Sequence, residues 1–206
     1  MRRRSLLVGV AGLFAGCGSP GSDTTDGDGV TVTPAPVPSP TAVAPRRHFA
    51  DEFCPRFDRR TDQTVCGHTQ PADSGLRFTT DRAVARLVDD RLADPLRVTL
   101  SWSLEGPLAV FARTWYLRRR DGDGWTGVET AAAGDPVVRI DGGDQFHWVL
   151  DTRSHDTGAA TVSVAVPLSP GRYAFAVQTV GGESRLHTES VVLFDVVAPE
   201  DDGTPG

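Results

Sequence analysis

Ser154, His155 and Asp156 are the residue types of a catalytic triad. Three adjacent side chains cannot converge on one reacting atom, because a working triad draws its members from separate segments. No GxSxG elbow is present, so the stretch reads as a polar loop. The five histidines, His48, His68, His147, His155 and His187, raise copper chemistry. A copper electron-transfer site needs two His, a Cys thiolate and often an axial Met. The only Met is Met1, and Cys54 and Cys66 precede the strand-rich region. Asp121-Gly-Asp-Gly124 offers carboxylates to calcium but lacks the third ligand and terminal Glu of a calcium loop. It reads as a hairpin turn. No metal, cofactor or catalytic residue is assigned, and the chain is not read as an enzyme.

Two features remain with chemistry to offer. Cys54 and Cys66 are an even pair that closes a thirteen-residue loop, which reads as a disulfide in an exported chain. Arg118-Arg119-Arg120 is the strongest basic cluster of the folded region, with Trp125 just beyond the following turn. These four residues are the candidate partner-binding set. Arg56, Arg59 and Arg60, inside the proposed disulfide loop, form a weaker second cluster. A site becomes plausible if the fold brings the two clusters together.

The elements that must position these residues follow a period of two. Leu96, Val98, Leu100, Trp102 and Leu104 alternate with polar residues, which marks a half-buried strand. Phe146–Leu150, Val162–Leu168 and Tyr173–Val177 repeat the pattern. Val191–Val197 is more continuously apolar, broken only by Asp195, as for a strand covered on both faces. Leu76–Thr80 reads as a strand. Asp81–Leu92 fits a short helix or a strand equally. Asp-Gly and Gly-Gly pairs at 121–124, 141–144 and 181–182 supply the positive φ that tight hairpins need. Seven or eight such strands predict an all-β, antiparallel sandwich.

The stretch Val162-Ser-Val-Ala-Val-Pro-Leu-Ser-Pro-Gly-Arg-Tyr173-Ala-Phe-Ala-Val177, with Trp115, resembles immunoglobulin-like domains. The resemblance implies that the Tyr173 hydroxyl bonds back to upstream backbone and that Trp115 packs between the sheets. It implies no activity. The family's inter-sheet disulfide has no counterpart, since both cysteines lie upstream.

Residues 1–16 read as a signal peptide: Arg2–Arg4, then an apolar run from Leu6 to Ala15, too short to span a bilayer. Arg3-Arg4-Ser5-Leu6-Leu7 resembles the twin-arginine export motif. Leu13-Phe14-Ala15-Gly16-Cys17 resembles the lipobox of prokaryotic lipoproteins, with Phe14 where Leu is usual. That resemblance implies a lipid on Cys17, which would hold the protein at the extracellular face of the cell membrane. Residues 17–46 read as a polar, Pro-rich disordered linker, 47–198 as the sandwich domain with its N-terminal disulfide loop, and 199–206 as a disordered tail.

Every basic residue is Arg, and without the signal 18 bases face 27 acids, a net charge of −9. This Lys-free, Asp-rich composition resembles secreted proteins of haloarchaea. A net acidic chain lacks the basic footprint of nucleic-acid binding. The expected function is a surface-anchored lipoprotein whose non-catalytic sandwich binds a protein or glycan partner or serves a structural envelope role. The alternative is a small ligand-binding lipoprotein with a pocket at the strand ends, lined by Trp102, Trp115, Trp125 or Trp148.

Overall fold

The structure, a computed structural model, describes residues 45–130, 137–158, 160–181 and 185–198. Arg3, Arg4, Cys17, the linker up to residue 44 and the tail from 199 lie outside the described residues. No helix among the described residues is long and apolar enough to cross a membrane.

A one-turn helix, α1 (Pro45–His48), precedes twelve strands: β1 (Gln63–Cys66), β2 (Leu76–Thr80), β3 (Val84–Val88), β4 (Arg91–Leu92), β5 (Leu96–Trp102), β6 (Leu108–Asp121), β7 (Gly124–Thr130), β8 (Val138–Ile140), β9 (Gln145–Asp151), β10 (Thr161–Ala165), β11 (Gly171–Gly181) and β12 (Leu186–Val197). One sheet runs β4-β3-β12-β11-β6-β7, with β1 also on β12 and β8 also on β6; the other runs β10-β9-β5-β2. The chain is the all-β sandwich that its alternation predicts. Most ladders are antiparallel, but β1 and β3 run parallel to β12 and β10 runs parallel to β9. The sheets are therefore mixed, and none of these parallel neighbours is joined by a tight hairpin.

The period-two residues meet between the sheets. Val98, Leu100 and Trp148 from one sheet pack with Leu117, Phe175 and Phe194 from the other, all fully buried. Trp148 is the centre of this core: its ring meets Phe78, Phe146 and Phe175, and its indole N–H donates to the Ala112 carbonyl. Trp115 also lies in this core, 5.9 Å from Phe175. The Tyr173 hydroxyl donates to the Ser169 carbonyl at 2.8 Å and accepts the Ser169 N–H at 3.0 Å, the corner that the resemblance implies.

Three local expectations change. Leu104 lies beyond the end of β5 and is exposed, so the strand stops at Trp102. The Asp81–Leu92 stretch is the β3–β4 hairpin, whose two turn residues, Asp89 and Asp90, both take positive φ. The Asp141–Asp144 turn is no hairpin: β8 belongs to one sheet and β9 to the other, so the turn is a corner between layers.

Strand β12 is buried on both faces, as its nearly continuous apolar run predicts. Val192, Phe194 and Val196 face the sandwich interior. Val191 and Leu193 point outward, where the N-terminal segment covers them.

Candidate functional site

Residues 45–66 form a strap across the outer face of the larger sheet. Phe49 is buried against it, with Cys66, Ala174, Ala176, Val191 and Leu193. The outward alanines of β11 leave room for the ring. The Cys54–Cys66 disulfide is present and ties the strap to β1.

Polar contacts hold the strap at two ends. At one end, Arg172 on β11 donates to both carboxylate oxygens of Asp195, at 2.8 and 3.1 Å, and to Glu52 on the strap. His48 also meets Asp195, at 2.7 Å. Burial works to raise the Asp195 pKa, but the bonds from Arg172 and His48 outweigh it and hold the carboxyl below its ordinary value. At the other end, the buried Glu189 carboxylate accepts the backbone N–H groups of Phe57 and Asp58, at 3.0 and 3.1 Å, and the Thr64 hydroxyl. Burial pushes the Glu189 pKa up despite these bonds. A carboxylate that fixes two loop N–H groups sets the shape of the loop between Cys54 and Cys66.

That loop delivers its arginines to the strand cluster. Phe53, Arg56, Phe57 and Arg59 on the strap share a groove of about 410 Å³ with Arg118, Arg120 and Trp125 on the β6–β7 hairpin. The Arg118 guanidinium lies 4.8 Å above the Phe57 ring, and that of Arg120 lies 5.5 Å above Trp125. Phe57 and Trp125 meet edge to face at 5.8 Å. Arg120 and Trp125 are direct cross-strand partners in the hairpin, which fixes their contact. Asp121 and Gly124 close this hairpin, with Gly122 at φ 54°.

Alternation along β6 divides the arginine triplet. Arg118 and Arg120 project to the strap side, while Arg119 projects to the other face and donates to the Pro170 carbonyl at 2.7 Å. The three residues therefore do not act as one patch. Arg60 is exposed and stands outside the groove lining. Trp125 is half-buried rather than fully exposed, because Phe57 covers part of it. Among the described residues, no carboxylate forms an ion pair with Arg59, Arg118 or Arg120. The Nε of Arg118 is buried without an acceptor.

Sequence reasoning missed Phe53, which is 93% exposed at the mouth of the groove. The available signal was an aromatic residue directly before a disulfide cysteine, with a second, Phe57, three residues beyond that cysteine.

The remaining candidates lie elsewhere. His155 pairs with Asp151, and Ser163 Oγ accepts the backbone N–H of His155 at 2.8 Å. That hydroxyl is engaged with backbone rather than with the imidazole. Trp102 is buried, with its indole N–H on the Gly106 carbonyl. Among the described residues, no three His, Cys, Asp or Glu side chains converge as a metal site would require.

No protein-family model and no curated protein matches the chain. Among solved structures, it is similar to one described as Northeast Structural Genomics Consortium target SoR45, at 13% identity and a TM-score of 0.38. That match covers 63% of this chain and 91% of the other. At such a score the likeness carries no argument about function.

Proposed function

We propose that this protein is a lipid-anchored, non-catalytic sandwich at the extracellular face of the cell membrane. Its groove between the strap and the β6–β7 hairpin binds a carboxylate-bearing partner of the envelope. The observation that carries this reading is the convergence of two arginine clusters, distant in sequence, around the exposed Phe53 ring and the half-buried Phe57 and Trp125 rings, in a chain that is acidic overall. Arginine presents a planar fork that matches carboxylates, and Arg, Trp and Phe are the residues that concentrate binding energy at interfaces. The cation–π contacts hold Arg118 and Arg120 in place before a partner arrives, which lowers the ordering cost of binding.

The anchor rests on the export and lipobox resemblances of residues 1–17. Cys17→Ser should release the protein into the medium or leave it unprocessed, as read by fractionation and mass; unchanged membrane association contradicts the anchor. For the groove, the purified protein is titrated with polyglutamate and with polygalacturonate. Arg118→Gln/Arg120→Gln should weaken binding to the better of these probes by about tenfold or more, from one or two charge-assisted bonds. Equal binding by the variant contradicts the groove.

A further inference from the structure

The side chains that line the groove between the strap and the β6–β7 hairpin either donate hydrogen bonds or are apolar. They are four arginines, three aromatic residues and Pro55, with no carboxylate, amide or hydroxyl side chain among them. Guanidinium and indole N–H groups donate and cannot accept. The groove therefore asks for a partner rich in acceptors.

The arginines differ in what they have left to give. Arg56 is engaged: its Nε donates to the Asp58 carbonyl at 3.3 Å and its Nη2 to the Thr61 carbonyl. Arg120 spends Nε on the Gly122 carbonyl at 2.9 Å, and the Nε of Arg118 is buried. Among the described residues, no hydrogen bond engages the terminal nitrogens of Arg118 or Arg120, or any side-chain nitrogen of Arg59. Three forks are thus open around one groove. A carboxylate pairs with one fork at a time in the bidentate geometry, so three forks call for a carboxylate that repeats.

The same lining favours one carrier of those carboxylates. An extended peptide brings a backbone N–H at every residue, and those turned toward the groove need acceptors. The groove's side chains offer none. A sugar ring brings oxygens that accept from guanidinium, and each hydroxyl can rotate its own proton outward to water. The C–H groups of a pyranose face also carry partial positive charge, which suits the negative face of an aromatic ring. Phe53, 93% exposed, presents such a ring to solvent. A run of glutamates has only slender methylene stems to set against it.

We infer that the groove binds an anionic glycan whose repeating ring carries a carboxylate, a polyuronate. This rests on the carboxylate-binding reading of the groove and adds the class of polymer. The volume of about 410 Å³ falls within the roughly 300–1,000 Å³ of ligand sites and admits a short stretch of such a chain.

The test is calorimetric titration of the purified protein with three short probes of equal carboxylate number: oligogalacturonate, oligoglutamate and a glutamate–tyrosine peptide. Oligogalacturonate should bind saturably and at least about tenfold tighter than either peptide. Phe53→Ala, at an exposed position that the core does not use, should weaken oligogalacturonate by about three- to tenfold and oligoglutamate by less than about twofold. No saturable binding of oligogalacturonate, a peptide that binds as tightly, or an oligogalacturonate affinity unmoved by Phe53→Ala overturns the glycan assignment. The groove itself still stands if a peptide probe binds and Arg118→Gln/Arg120→Gln weakens it. Indifference of every probe to those two arginines is instead the failure of the groove.

Discussion

Arg172 and Asp195 decide how the strap answers to acid. Asp195 has a folded pKa held below its ordinary value by Arg172 and His48. Its contribution is therefore complete above the unfolded value of about 3.9 and is lost as pH falls through the folded value. Asp151 is held down in the same sense, with burial opposing and His155 and Thr152 prevailing. Glu189 runs the other way, since burial raises its pKa and its contribution declines as pH rises through that value. Denaturant midpoints measured from about pH 5 downward should fall for the unsubstituted protein, and Asp195→Asn should flatten that fall; an identical slope contradicts the assignment. At this scale the sequence was legible where side chains act locally. Tyr173 and its corner could be read from the residues around it. The separation of Arg119 from Arg118 and Arg120 could also be read, from strand parity alone, once Arg118–Arg120 is known to lie within β6. The acceptors were not legible: Glu189 is 131 residues from Asp58 in the chain, and no local pattern pairs them.

The strap is the element on which the groove depends. It has almost no regular structure beyond α1 and β1, so its fixed path comes from the disulfide, the two carboxylate anchors and Phe49. Cys54→Ala should lower stability by about 3 kcal/mol, the chain-entropy value for a loop of this length. It should also weaken carboxylate binding, because Arg56 and Arg59 lose their fixed position. A stable variant with unchanged binding would show that the strap does not position the groove. Strands were legible because alternation reports one dry face, and β12 because its run reports two. Turn chemistry was less decisive. Asp89-Asp90 makes a tight hairpin without Gly, which concealed β3 and β4 within a stretch that also fits a helix. Asp141–Asp144 carries the residues of a hairpin and makes a corner instead. Local sequence specifies that a chain turns; which sheet receives the next strand depends on distant partners.

On the scale of the whole molecule, charge and aromatic surface are segregated. The chain is acidic at −6, yet Arg56, Arg59, Arg118 and Arg120 share one groove with Phe53 and Trp125. Screening shortens the reach of those charges to about 8 Å at physiological ionic strength, and to about 3 Å at 1 M. A groove serving in high salt would therefore depend on direct contact, which the guanidinium–ring stacks and the exposed Phe53 provide. Two arginine clusters were visible in the sequence; that they adjoin was not, since the approach is set by how residues 45–66 cross the sheet. The most direct measurement is crosslinking on intact cells with a photoreactive phenylalanine analogue in place of Phe53. The account predicts a discrete adduct with an acidic envelope component, absent from a tether-only control and lost in Arg118→Gln/Arg120→Gln. No adduct above that control, or an adduct indifferent to the two arginines, would contradict it.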